Sequence, residues 1–207
     1  MNVPGNTVVC IGTGPSLDLN DIQAARDAGF DLYGCNLVYQ IVPDLRLLYG
    51  CNLAWWDEYW HDVRHHPAEK WTTNRAAADR YGINWVAERY GYGLSRDPSV
   101  IHHGHGSGFS LVSMAHRMGY RRILLLGYDL KYAPDYDGKQ RQVGSTPRHY
   151  FGEYPKTLQH WPSVQVKQGV HVELVGLYRQ VHEQGLVELY NATPGGALTG
   201  VIPEFTL

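Results

Sequence analysis

His149 and Glu153 stand four residues apart in Arg148-His149-Tyr150-Phe151-Gly152-Glu153-Tyr154. An imidazole and a carboxylate are the usual side chains for taking a proton from a hydroxyl. The carboxylate does so near neutral pH only when burial raises its pKa. The same composition also suits a solvated loop with hydrogen-bonding tyrosines. Asp135-Tyr136-Asp137 has a spacing that can hold a divalent cation, but it lies in a turn-forming stretch, Pro134 to Gly138, where aspartates serve the turn itself. Ile101-His102-His103-Gly104-His105 is histidine-dense, and a strand would set His103 and His105 on one face. No Asp or Glu at ligand spacing completes a metal set there, so the preferred reading is a glycine-rich loop that opens a helix near Ser107 and Gly108.

A second group of residues suits a phosphate and a nucleoside. Thr7-Val8-Val9-Cys10-Ile11 is followed by Gly12-Thr13-Gly14-Pro15-Ser16-Leu17, and Asp18 to Ala28 has helical periodicity. A strand, a tight glycine turn and a helix N-terminus can present backbone N–H groups and a positive dipole end to a phosphate. Gly12 and Gly14 permit close approach, Pro15 presets a helix start, and Ser16 or Asp18 can cap it. The loop lacks the third glycine of the dinucleotide fingerprint and the Gly-Lys-Ser/Thr of a P-loop, so a plain strand-to-helix turn is the alternative. The tetrapeptide Gly-Cys-Asn-Leu then follows two successive strands, Phe30 to Tyr33 and Leu45 to Tyr49. In a parallel sheet this sets Asn36 and Asn52 at the carboxyl edge, where amides can read a base edge or sugar hydroxyls, or simply cap helices. Asp129, after the apolar run Arg121 to Gly127, and Asn191, after Leu186 to Tyr190, stand at the same edge. Asp129 either orients a ligand or caps a turn.

The intervening segments must hold these groups in place. Ala54 to Arg64 reads as an aromatic helix, and Gly108 to Met118 as a small, buried one. Trp71 to Tyr92 has mixed periodicity and stays unassigned. Residues 131–160 form a long polar stretch of lid-like composition. Ser163 to Gln184 reads as one long helix with Val170, Leu174, Leu177 and Val181 as its apolar stripe and with His171 and His182 exposed or flanking. The turn-rich tail from Pro194 to Leu207 ends apolar and is expected to pack onto the body. Strands alternating with helices predict an α/β, Rossmann-like fold with a mostly parallel central sheet flanked by helices, as a single domain over residues 1–207.

Composition narrows the function. The chain has 207 residues, 43% hydrophobic and 18% charged, and a formal net charge of −2. A packed core is expected, and duplex DNA is not an expected partner. No apolar run reaches the roughly 20 residues that span a bilayer, and Met1-Asn2-Val3-Pro4-Gly5 has no basic or apolar signal core. A cytoplasmic location is expected. Three cysteines without C-x-x-C spacing argue against a disulfide framework and a structural zinc site.

Taken in order, these motifs resemble the bacterial lipooligosaccharide sialyltransferase-like family, Rossmann-like proteins with a Gly-x-Gly-Pro-Ser-Leu nucleotide loop. The carriers are Gly12 to Leu17, Cys35-Asn36, Asn52, Ser107-Gly108, Gly119-Tyr120, Gly127-Tyr128-Asp129, His149-Tyr150-Phe151-Gly152 and Asn191-Ala192-Thr193-Pro194. The resemblance implies a metal-independent transferase without a cofactor, using a nucleotide sugar, most simply a CMP-sugar, and a glycan or other hydroxyl acceptor. It implies nucleotide-binding roles for Asn36, Asn52 and Ser107, and a phosphate-stabilising role for Tyr132, Tyr136 and Lys131. The family's general-base histidine is replaced by Glu153, which leaves Glu153 or His149 as the base. That departure keeps two alternatives open: a nucleotide-binding or sequestering protein without transfer, and a magnesium-dependent enzyme of the pterin diphosphokinase type. A homo-oligomer is also left open.

Overall fold

A computed structural model describes residues 6–104, 106–131, 149–152, 154, 155, 158, 166, 167 and 170–207. The elements run β1 (Thr7–Ile11), α1 (Leu19–Asp27), β2 (Asp31–Cys35), a 3-10 turn (Asn36–Gln40), β3 (Leu47–Tyr49), α2 (Leu53–Val63), β4 (Glu69–Thr72), α3 (Arg75–Tyr81) and β5 (Asn84–Trp85). Then follow β6 (Ala87–Tyr90), β7 (Val100–His103), α4 (Ser107–Arg117), β8 (Arg122–Leu126), β9 (Val166–Lys167), β10 (Val170–His171), α5 (Val172–Gln184) and β11 (Glu188–Asn191). Seven strands form a parallel sheet in the order β11-β8-β1-β2-β3-β4-β5. The expected α/β architecture is present.

Side-chain alternation explains the layering. In β1, Val8 and Cys10 pack with α4 and α5, through Phe109, Leu111, Met114, Leu177 and Val181. Val9 and Ile11 point the other way, onto Ile22 of α1 and Trp55 and Trp56 of α2. Every residue of β1 is buried, as are Ile123 to Leu126 of β8. A strand covered on both faces reads as an unbroken apolar run, which is why β8 is so plain in the sequence. The chain builds β1 to β5 outward in one direction, then returns through β6, β7 and α4 to lay β8 on the other side of β1. The order therefore reverses between β1 and β8, the point where open parallel sheets bind ligands. β6 and β7 pair only with each other, in parallel.

Three regions refine the sequence reading. The unassigned stretch from Trp71 to Tyr92 folds as β4, α3, β5 and β6, elements of seven residues or fewer that are too short to show a period. The expected helix from Ser163 is shorter: α5 starts at Val172, and Val170–His171 pairs antiparallel with Val166–Lys167. Two β-branched valines flanking Gly169 favour that pairing over helix. The tail does pack, with Leu198 and Ile202 buried and Glu204 bridging to Asn191.

Two glycines test this account in opposite directions. A Cβ on Gly14 would lie 2.6 Å from the Gly127 carbonyl oxygen and against the Asp129 carboxylate, whereas Gly176, inside α5, has open space around it. Gly14→Ala is expected to lower unfolding stability by about 2–4 kcal/mol. Gly176→Ala should raise it by about 0.5–1 kcal/mol through helix propensity. Urea denaturation of both variants reads the difference.

Candidate functional site

A cleft open to solvent, with a cavity volume of about 150 Å³, lies at the β1/β8 switch point. Its walls are the loop Gly12 to Pro15, the segment Gly127 to Lys131, the start of α4 at Gly106, Gly108 and Phe109, and His149, His171, Leu174 and Tyr178.

The glycine loop lines the cleft, and the fold itself uses several of its N–H groups. The Gly12 N–H donates to Leu126 O at 2.8 Å and the Gly14 N–H to Gly127 O at 2.9 Å. Ser16 donates to Asp129 Oδ2 through Oγ at 2.8 Å and N at 3.4 Å. Pro15 has no N–H. The close approach that needs Gly12 and Gly14 is thus that of the end of β8, and Asp129 holds this junction. Asp18, not Ser16, caps α1, accepting from Asn20 N at 2.8 Å.

The available anion-binding end belongs to α4. Its N-cap is Gly106, which brings no side chain, and backbone pairing begins at Ser110 N, 3.2 Å from Gly106 O. Gly108 and Phe109 of the first helical turn stand at the cleft wall with the positive end of an 11-residue helix. Ser107 Oγ reaches Asn36 Oδ1 at 3.4 Å and Cys51 Sγ at 3.3 Å. Asn36 adopts φ +52°, a left-handed conformation that asparagine tolerates better than most residues. Asn52 is the exposed N-cap of α2, and its side chain makes no capping bond. Asn36, Cys51 and Ser107 thus meet at the carboxyl edge of the sheet; none of them, nor Asn52, is among the residues that line the cleft.

The base candidates differ in their support. His149 Nδ1 lies 3.0 Å from Thr13 Oγ1, and Tyr150 N donates to Thr13 O at 2.8 Å, which clasps this segment to the glycine loop. The His149 ring meets Tyr154 edge-on at 5.1 Å. Glu153, Tyr132, Tyr136, Asp135, Asp137 and His105 lie outside the described residues. Lys131 lines the cleft and donates to Gly195 O at 2.6 Å. Asn191 is 2% exposed and its amide closes a turn with Thr193, accepting from Thr193 N at 3.0 Å and donating to Thr193 O at 3.3 Å. It holds the end of β11 and does not line the cleft. Among the described residues no three His, Cys, Asp or Glu side chains gather in a metal-sized group. No helix among them is long and apolar enough to cross a membrane, and the three cysteines are not paired with one another.

The sequence reading sets His171 as exposed or flanking on a long helix, and the structure corrects this. His171 sits at the N-cap of α5 inside the cleft wall, 6% exposed, where burial pushes its imidazole down to about 4. Only the hairpin before α5 turns it inward, and no periodic signal marks that hairpin. Its lowered pKa has a definite sign. Above about pH 6.5 neither the folded nor the unfolded chain binds a proton there. Between about pH 6.5 and 4 the unfolded chain does and the folded one does not. Acidification through that window should therefore cost on the order of 2 kcal/mol of stability in the native protein. His171→Gln should flatten that slope in denaturant melts run across the same pH range.

The comparisons with known proteins concern this fold. No family model matches the sequence, and no curated protein matches it significantly. Among solved structures, the Campylobacter jejuni sialyltransferase CstII in complex with cytidine-5′-monophosphate superposes with a TM-score of 0.58 at 17% identity, covering 98% of this chain and 86% of that one. CstII with a trisaccharide acceptor and CMP gives 0.56 at 16% identity, covering 96% and 85%. The monofunctional α-2,3-sialyltransferase Cst-I of the same organism gives 0.54 at 12% identity, covering 99% and 82%. Over nearly its whole length, this chain has the fold of these sialyltransferases.

Proposed function

We propose that the protein is a CMP-sugar-dependent glycosyltransferase of the sialyltransferase type, which moves the sugar to a hydroxyl acceptor without a metal. One observation carries this reading. The uncapped start of α4 opens on the switch-point cleft, and its first side chain, Ser107, is tied to Asn36 at the end of β2. Neighbours of the same fold were solved with CMP bound.

In this reading the donor phosphate lies at the α4 N-terminus, where backbone N–H groups and the helix dipole serve an anion in a partly enclosed site. The Asn36 and Asn52 amides, with Ser107, hold the nucleoside and sugar. The acceptor oxygen attacks the anomeric carbon, the bond from that carbon to the phosphate oxygen breaks, and CMP leaves with the electron pair. Lys131 supports the leaving phosphate from the cleft wall, and Tyr132 and Tyr136 are assigned to the same task. The acceptor proton goes to His149, whose ring Thr13 orients, with Glu153 as the competing base. Helix dipole and lysine take the role a divalent cation has in other sugar transferases, so chelation should not matter.

Calorimetric titration with CMP, with and without EDTA, tests the donor site. Binding unaffected by EDTA, and weakened about fivefold or more by Ser107→Ala and by Asn52→Ala, is the expected result. No binding of CMP, or binding that EDTA abolishes, would overturn the reading. For the base, His149→Ala should lower kcat about 100-fold or more with KM for the donor nearly unchanged, while Glu153→Gln has a small effect. The reverse pattern would move the base to Glu153.

A further inference from the structure

A second cavity, of about 220 Å³, lies toward the other end of α4 from the switch-point cleft. It is lined by the turn Ser95 to Pro98, by Val100 and Ile101 of β7, and by Ser113, His116 and Arg117 in the later turns of the helix. None of these residues lines the cleft. The 11 residues of α4 span about 16 Å, so the two sites are separate.

The walls are set by the chain itself. Ser95 Oγ donates to Asp97 O and accepts from Asp97 N, both at 3.1 Å, which closes the turn. His116 Nε2 lies 3.2 Å from Ser95 O, which ties the turn to α4. Arg117 stands over the Trp71 ring, with Cζ 5.2 Å from the ring centre. Its Nε is shut off from water and has no hydrogen-bond partner. Among the described residues the Arg117 guanidinium makes no ion pair or hydrogen bond, and neither does that of Arg96, which is exposed. An arginine that served only the negative end of the helix would bond one of its last carbonyls. Arg117 bonds none, although a buried N–H without an acceptor is costly.

The charge in this cavity comes from the arginines. Burial pushes the His116 imidazole below its ordinary value, and Arg121 acts in the same direction against the bond to Ser95. The one carboxylate in the lining, Asp97, is committed to its own turn. Its Oδ1 accepts from Ser99 Oγ at 2.6 Å and from Ser99 N at 2.9 Å, bonds that hold its carboxyl below the usual range, and the charge of Arg89 acts the same way.

We infer that this cavity is a second ligand site, which takes a small phosphate-type dianion through the guanidinium groups of Arg96 and Arg117. A guanidinium presents parallel N–H groups that match two oxygens of such an ion, and one held over an aromatic ring is pre-organised for it. Two unpaired arginines match two negative charges. Pro98, Val100 and Ile101 give the cavity an apolar side, so the ion is free phosphate or the phosphate of a small ester. The site stands apart from the glycosyl-transfer reading.

The side-chain Nε–H signal of Arg117 in proton–nitrogen correlation spectra, identified by its loss in Arg117→Lys, reports on this site alone. Titration of the full chain with inorganic phosphate, and separately with glycerol phosphate, at constant ionic strength should move that signal and saturate in the millimolar range or below. Arg96→Gln should weaken binding about fivefold or more. Arg117→Lys, followed through the Trp71 indole N–H, should weaken it about threefold or more, since lysine keeps the charge and loses the fork. Melting temperatures within about 4 °C of the parent would show that both variants fold. The tighter of the two anions identifies the source, free ion or ester. No saturable shift at Arg117, the same shift from sodium chloride at matched ionic strength, or unchanged affinity in Arg96→Gln would overturn the site. Phosphate shifts confined to the Gly108 and Phe109 amides would put the ion at the cleft and overturn it too.

Discussion

The backbone junction between the ends of β1 and β8 is the constraint on which the rest of the molecule depends. Parallel pairing continues past both strands, with Gly12 bonded to Leu126 and Gly14 to Gly127, and Ser16 bonded to Asp129 closes it. Two backbones approach so closely there that any Cβ at residue 14 would clash. This happens at the position where the strand order reverses and a ligand crevice must open. The junction forms the floor of that crevice and fixes where Thr13, Tyr128 and Lys131 stand around it.

The N–H groups of Gly12 and Gly14 are taken by Leu126 and Gly127, whereas α4 begins at the cleft without a side-chain cap. That helix is buried on the sheet through Phe109, Leu111, Val112 and Met114, so its axis is held by the core. Its capless N-terminus leaves the dipole facing the cleft. Lys131 and Asp129 bring opposite charges to the cleft wall, and His171, driven neutral by burial, adds none. His149 stands opposite, clasped to the same glycine loop through Thr13.

The outer β6–β7 pair extends this arrangement. It carries the chain from the far edge of the sheet back to α4, and β7 leads into the start of that helix.

The α/β class, the two covered faces of β1 and β8, and the carboxyl-edge placement of Asn36, Asn52 and Ser107 were legible in the sequence. Each follows from local pattern: unbroken apolar runs, a repeated tetrapeptide, and a glycine-rich helix start. The short elements between Glu69 and Tyr90 were not, since strands of two to four residues carry no measurable period. Nor was the burial of His171, which depends on β10 ending a helix pattern that continues in the residues. His103 looked isolated because its carboxylate partner, Glu88, arrives from a neighbouring strand 15 residues earlier in the chain. Asp129 was open between orienting a ligand and capping a turn; it bonds Ser16 while lining the cleft, and Asn191, at the end of β11, closes a turn with Thr193. The sequence by itself determined which segments are buried and which polar groups stand at strand ends, because burial pattern and turn chemistry are local. Only the tertiary structure decided which of those groups face a ligand, because a hydrogen-bond donor taken by the chain's own backbone looks the same in the sequence as one left open to a cleft.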